Sequence, residues 1–223
     1  MAGQVPEQTN GKLFKLSAGI LILVTIGISI WAYPHLPLRV PSHWNAAGEI
    51  DGYSSALSGA FLFPLITLGV WLFLLLIPLI DPRKDNYQKM GKVYGLFSFI
   101  VVLFLCILHL GILMTALGIL KTGLVPFLSY AGVGVLFIVI GLCMGKIRHN
   151  YFFGIRTPWT LASEEVWNKT HNTVGPWWII GGVVFLFLGF LPEYLMLPLL
   201  LLIVMVLALG SAGYSYLVYR SLK

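Results

Sequence analysis

Three groups of residues in this sequence have side chains capable of specific chemistry. The first is the stretch 34–56, where His35, His43, Glu49 and Asp51 all carry the donor atoms of metal ligands. Their spacing matches no strong ligand signature, and a catalytic zinc would need a tighter motif, so no metal is expected there. The second is 145–175, where Arg156 is the central charge among Asn150, Gly154, Thr157, Pro158, Trp159, Thr160 and Trp167. By physics alone the segment is an anchor for the bundle, with Arg156 a charge of the cytoplasmic side. The third is His109, inside an apolar run. An ionisable group at such a position is a functional candidate by default, although it can equally hydrogen-bond a neighbouring helix. No acid accompanies it within an apolar run, so a proton relay is poorly supported. Cys106 and Cys143 are isolated in apolar runs and form neither a disulfide framework nor a metal spacing. There is no phosphate-cradling glycine loop, no nucleophile elbow and no pair of membrane carboxylates. Neither catalysis nor a cofactor is expected.

These groups must be positioned by elements suited to lipid. The 223 residues are 58% hydrophobic and only 10% charged, whereas soluble domains carry about a quarter charged residues. Apolar runs at roughly 13–33, 57–80, 93–117, 127–144, 176–190 and 195–219 are long enough, or nearly so, to cross a bilayer as helices. The run at 176–190 is the shortest. The fold class is therefore all-α, a polytopic integral membrane protein of about six transmembrane helices.

Basic residues set the expected orientation. Arg39 and Lys121 alone fall in the first and third connections; the other twelve of the 14 Lys and Arg residues fall in the N-terminal tail, the second and fourth connections and the C-terminus. By the positive-inside rule both termini are cytoplasmic. The net charge of +6 is thus read as a topology signal, with no direct nucleic-acid contact expected. The division expected is a cytoplasmic tail over 1–12, a two-span unit over 13–92 with an extracellular proline-rich loop at 34–56, and a four-span unit over 93–223 with a cytoplasmic hairpin at 145–175. Glycines within the spans, including Gly132, Gly134, Gly141, Gly145, Gly181 and Gly182, are expected to let helices approach closely.

Local patterning refines both long loops. Pro34, Pro37 and Pro41 favour extended backbone, Asn45 and Gly48 favour a turn, and Trp44 and Tyr53 suit a membrane interface. In the other loop Gly154 permits a turn, and Thr157 followed by Pro158 reads as a helix N-cap, with Thr160 or Ser163 as alternatives. A short amphipathic helix on the inner leaflet is expected from there to about His171. Trp159, Ala162, Val166 and Thr170 would lie on one face, and Glu164, Glu165, Asn168 and Lys169 on the other. Glu165 and Lys169 form an i,i+4 pair.

The same two loops carry a family resemblance. Leu36-Pro37-Leu38-Arg39-Val40-Pro41-Ser42-His43-Trp44-Asn45, with Gly48 and Asp51, resembles a small membrane domain of unknown function found at the front of many SdpI-type proteins. Asn150-Tyr151-Phe152-Phe153-Gly154-Ile155-Arg156-Thr157-Pro158-Trp159-Thr160-Leu161, with Glu165, Val166 and Trp167, resembles the signature of the SdpI family. Where relatives often carry a lysine a few residues beyond Asp51, this chain has Gly-Tyr-Ser-Ser-Ala-Leu.

The resemblance implies a bacterial plasma-membrane protein of immunity and signalling. It implies protection against an extracellular SdpC-like toxin peptide, and coupling to a cytoplasmic transcriptional repressor. It marks His43, Trp44, Asn45, Gly48 and Asp51 as an outer motif. Asn150, Gly154, Arg156, Thr157, Pro158, Trp159, Thr160 and Trp167 form the inner one. The physical alternative is a small transporter or permease-like protein with His109 lining a polar route. A metal-dependent enzyme built on His35, His43, Glu49 and Asp51 is the remaining rival.

Overall fold

A computed structural model describes residues 5–45 and 47–223 of the chain, so the start of the expected 1–12 tail lies outside the described residues. Six helices are long and apolar enough to cross a membrane. They are α1 (Val5–Ala32), α2 (Ala56–Ile80), α4 (Gly91–Ala116), α5 (Leu124–Met144), α7 (Glu164–Leu188) and α8 (Glu193–Ser221). Two short helices, α3 (Lys84–Lys89) and α6 (Pro158–Ala162), lie in the connections at one end. The six-span expectation is met.

Two differences from the sequence reading have physical causes. The first connection is a two-stranded antiparallel sheet of β1 (Arg39–Trp44) and β2 (Ile50–Ser55), so the chain is not purely helical. Pro41 lies within β1, where its fixed φ suits extended backbone. Pro34, also expected to be extended, sits in a single 3-10 turn (Tyr33–His35), a geometry that the same φ allows. Val40, Pro41 and His43 pair opposite Ser54, Tyr53 and Gly52. The second concerns 158–188. No separate amphipathic helix lies along an inner leaflet there. The chain makes one short helix, breaks at Ser163, and then runs without interruption through α7, past Pro176. The connection expected at 145–175 therefore ends near Ser163, and the fifth span begins at Glu164 rather than near Pro176. Hydropathy misreads this stretch because it averages two faces: Val166, Trp167, Thr170, His171 and Val174 are buried against protein, while Glu164, Glu165, Asn168 and Lys169 are exposed on the other side of the same helix. The two expected faces do exist from Glu164 onward, and Lys169 Nζ lies 2.8 Å from Glu165 Oε1.

Lipid is as apolar as a leucine side chain, so helix pairs in a membrane depend on close packing rather than on a hydrophobic driving force. α5 and α7 meet through reciprocal glycines. A Cβ on Gly141 would sit 2.6 Å from the Gly175 carbonyl oxygen, and one on Gly182 would sit 2.6 Å from that of Gly134. α1 packs on α4 in the same way, where a Cβ on Gly95 would lie 2.8 Å from the Gly11 carbonyl oxygen. α2 lies against α1 and α4, α4 bridges to α5, and α8 leans on α7 with most of its surface outward.

Alternation of the spans puts the β1–β2 hairpin at one end with the α4–α5 and α7–α8 connections. The other end carries α3, the 145–163 segment and α8's last turns. The largest core cluster is at this second end, where Tyr87, Tyr94, Met144, Ile147, Trp167 and Val174 pack together.

Candidate functional site

The hairpin is seated on the bundle rather than projecting from it. Val40 is fully buried beside Ile112 and Val125, and it fits because residue 59 is glycine: a Cβ there would lie 2.6 Å from Val40. The Trp44 indole N–H donates to the Thr122 carbonyl at 3.1 Å, tying the hairpin to the α4–α5 connection. The turn is closed by Asn45. Its side-chain oxygen accepts the Glu49 N–H at 3.0 Å, its amide group donates to Glu49 Oε2 at 3.1 Å, and Gly48 takes a φ of 77°.

On the open face of the hairpin His43 Nδ1 is 2.5 Å from Asp51 Oδ1, with both side chains largely exposed. The four proposed metal donors are not brought together. His35 Nδ1 bonds back to the Trp31 carbonyl at 3.0 Å, and Glu49 is engaged by Asn45. Among the described residues no three His, Cys, Asp or Glu side chains are grouped to hold a metal ion.

Two cavities flank the hairpin. One of about 300 Å³ is lined by His43, Trp44, Asn45, Phe63, Ser129 and Tyr130. The other, of about 640 Å³, lies beside Gly48 and is lined by Pro126, Phe127, Tyr130, Leu191 and Tyr194. Tyr130 belongs to both, so the cavities adjoin. The smaller is mostly apolar and the larger is about evenly polar and apolar, and concave surfaces of this size suit small ligands.

The Arg156 segment is built around buried polar groups at the opposite end. Asn150 is fully buried, and its side chain organises the loop. Its oxygen accepts the N–H groups of Phe152 and Phe153 at 2.9 and 2.6 Å, and its amide donates to the Arg148 and Phe153 carbonyls at 2.8 and 2.9 Å. Gly154 follows at a φ of 112°, a conformation that disfavours every other residue. This lets Ile155 donate its N–H to His171 Nε2 at 2.9 Å, while His171 Nδ1 bonds the Trp167 carbonyl at 2.8 Å. The two bonds together require the neutral tautomer with its proton on Nδ1. Trp167 stacks on His171 at 4.1 Å and donates from its indole to the Ile147 carbonyl at 2.9 Å.

Thr157 and Trp159 fasten the segment to α8, with Pro158 between them opening α6. Thr157 and Thr160 form a reciprocal capping box at the start of α6, in agreement with the expected N-cap. Ser163, the alternative, caps α7 instead. Thr157 Oγ1 lies 3.1 Å from Ser215 Oγ, the Trp159 indole donates to the same hydroxyl, and the Trp159 ring packs on Tyr216 at 5.2 Å. Asn150, Thr157, Thr160 and Trp167 are thus occupied in holding the loop. Arg156 is exposed; it makes a single bond, from Nη1 to the Tyr151 carbonyl at 3.0 Å, and leaves most of its donors free.

Residues not singled out from the sequence complete this end. Asp81, only 2% exposed, accepts the Tyr87 hydroxyl and the Tyr151 N–H through Oδ2 at 2.9 and 3.0 Å, and the Arg83 N–H through Oδ1 at 2.7 Å. Burial beside this carboxylate raises the Tyr87 phenol above its ordinary range. His149 is buried against Trp167, with ring centroids 5.0 Å apart. Burial, and then the nearby Arg83 guanidinium, push its imidazole below the ordinary value. The available signal for Asp81 was an acid directly after an apolar run, in a connection otherwise rich in Lys and Arg.

His109 is enclosed mid-bundle at 1% exposure. It bonds Ser29 Oγ through Nε2 at 2.8 Å, and Phe63 stacks on it at 6.3 Å. The Ser29 hydroxyl donates its hydrogen bond to the Thr25 carbonyl at 3.0 Å, so His109 Nε2 is the donor of the His109–Ser29 pair. His109 lines neither hairpin cavity.

Comparison with known proteins agrees with these two landmarks. Residues 146–215 match the family model of the SdpI/YfhL protein family, and residues 20–68 match a domain of unknown function, DUF1648. The chain is 26% identical over 205 residues to a Bacillus subtilis (strain 168) protein named immunity protein SdpI. The match covers 92% of this chain and 95% of that protein. No solved structure matches the chain.

Proposed function

From a multi-pass membrane chain that carries the SdpI/YfhL family region over 146–215, we propose a membrane immunity protein that protects its cell against a secreted SdpC-like antimicrobial peptide. The observation that carries this reading is the near full-length match to immunity protein SdpI. The seated hairpin adds a physical basis for it. His43, Trp44, Asn45, Gly48 and Asp51 stand on or beside two adjoining cavities, which offer apolar walls and exposed polar groups to an amphipathic peptide. The clustering of twelve of the 14 basic residues toward the opposite end supports a reading in which the hairpin faces outward and Arg156 inward.

In this reading the exposed guanidinium of Arg156 is the contact for a cytoplasmic partner, a transcriptional repressor. A transport function would need a polar passage at His109, which is instead packed between Ser29 and Phe63.

The test is a challenge of cells with and without this protein by the purified toxin peptide. Protection that depends on the chain, and that weakens when His43→Gln and Asp51→Asn are combined, is expected. Equal killing with the protein present in the membrane overturns the immunity reading. Arg156→Ala is expected to preserve membrane levels and protection while weakening repressor capture.

A further inference from the structure

A separate cavity of about 620 Å³ opens at the Arg156 end, between α1 and the α2–α4 connection. Lys12, Lys15 and Lys84 line it, and among the described residues Asp85 is the one acid in the lining. None of the three lysines takes part in an ion pair among the described residues. Lys15 is partly buried, with its ammonium 5.8 Å from the centre of the Tyr94 ring.

Gln88 adds a neutral amide to the wall, and the two tyrosine hydroxyls there are already committed. The Tyr87 hydroxyl donates to Asp81 at 2.9 Å, and the Tyr94 hydroxyl donates to the Leu74 carbonyl at 2.8 Å. The ammonium groups therefore supply the strongest free donors. The wall is also rigid, because α1 meets α4 so closely that a Cβ on Gly11 would lie 2.5 Å from the Gly91 carbonyl oxygen. Leu79 in the wall is 72% exposed, and on α1 Leu13 and Leu16, each next in sequence to a lining lysine, are 55% and 61% exposed.

Three cations against one carboxylate leave an unbalanced positive cavity at the end of membrane helices. Its natural counter-ion is an anionic phosphate. A basic pocket between helix ends beside exposed leucines suits a lipid headgroup, since free phosphate has no use for the apolar rim. We propose that this cavity binds the phosphate headgroup of an anionic phospholipid, with its acyl chains lying along Leu13, Leu16 and Leu79. The site is independent of the hairpin cavities and of the immunity reading.

The experiment uses full-length protein in a neutral detergent, titrated with short-chain phosphatidylglycerol, short-chain phosphatidylcholine and inorganic phosphate, with native mass spectrometry as the readout. Phosphatidylglycerol is expected to bind in preference to both others and to weaken as salt rises. The combined substitution Lys12→Gln, Lys15→Gln and Lys84→Gln is expected to weaken it by about tenfold or more. A charge-matched control with Lys89→Gln, Lys146→Gln and Lys223→Gln should bind as the parent does. Lys12→Gln with Lys84→Gln keeps the partly buried Lys15 in place and is expected to give an intermediate loss, which separates the site from a folding defect. Equal affinity for phosphatidylglycerol in the triple variant and its control overturns the proposal. So does phosphatidylcholine or inorganic phosphate binding as tightly as phosphatidylglycerol.

Discussion

Asp81 accepts the backbone N–H of Tyr151 at 3.0 Å, joining the end of α2 to a loop 70 residues further along the chain. The same carboxylate holds Tyr87 and the Arg83 N–H, so one buried acid couples α2, α3 and the Arg156 segment. All three partners are donors, and a carboxylate offers only acceptors. In Asp81→Asn one oxygen becomes an NH2 group facing a donor. A loss of about 1–3 kcal/mol is expected, read as a lower thermal midpoint in detergent. An unchanged midpoint would show that this bond set does not hold the loop.

Gly154→Ala tests the next link. Alanine is strained at a φ of 112°, and its Cβ would lie 2.5 Å from His171 Nε2, the atom that accepts the Ile155 N–H. The expected cost is about 1–3 kcal/mol, with faster hydrogen exchange at the Ile155 amide. Exchange as slow as in the parent would mean that the bond survives without glycine.

The α5–α7 interface is expected to be intolerant of side chains larger than hydrogen. Gly141→Val or Gly182→Val would drive methyl groups into a carbonyl oxygen of the facing helix. Separation of the two helices follows, with a loss of about 1–3 kcal/mol. Gly213→Val is the matched control, since a Cβ there meets nothing within 4 Å. Thermal melting of the three variants side by side distinguishes an interface effect from a general dislike of valine.

His149 gives the fold a pH dependence with a definite sign. Its imidazole is held below the ordinary value of 6.5 by burial and by Arg83. As pH falls below 6.5 the unfolded chain takes up this proton before the folded one, so stability declines with falling pH. Above 6.5 the contribution is constant. His149→Gln should therefore make the fall in thermal midpoint shallower on the acid side and leave the neutral side flat. An equally steep acid fall in the variant would assign the dependence to other groups.

Much of the architecture was written in local composition. Runs of apolar residues, spaced by clusters of Lys and Arg, are enough to specify six helices, because lipid demands that every backbone group be satisfied within its own span. Thr157-Pro158 likewise announces a helix start, and the glycines of the spans announce close packing.

The starts of the spans were less legible. Glu164, Asn168 and His171 look like loop residues to any scale that assumes lipid around them, yet α7 runs through all three, with His171 and Trp167 buried against protein and Glu164 and Asn168 exposed on the other face. The side of the helix they occupy, not their average polarity, made them part of α7.

What the sequence by itself determined is the list of membrane-crossing segments, the turn chemistry of the two long connections and the charge asymmetry between the ends. These are properties of neighbouring residues, and neighbours are all that composition and spacing describe. Tertiary structure alone decided that the proline-rich connection is a hairpin locked down by Val40 and Trp44. It also decided that Asp81 anchors Tyr151, and that two lysines of α1 and one of α3 share one cavity. Each of these depends on groups far apart in the chain being brought within a few ångströms by helix packing, and no local pattern encodes that distance.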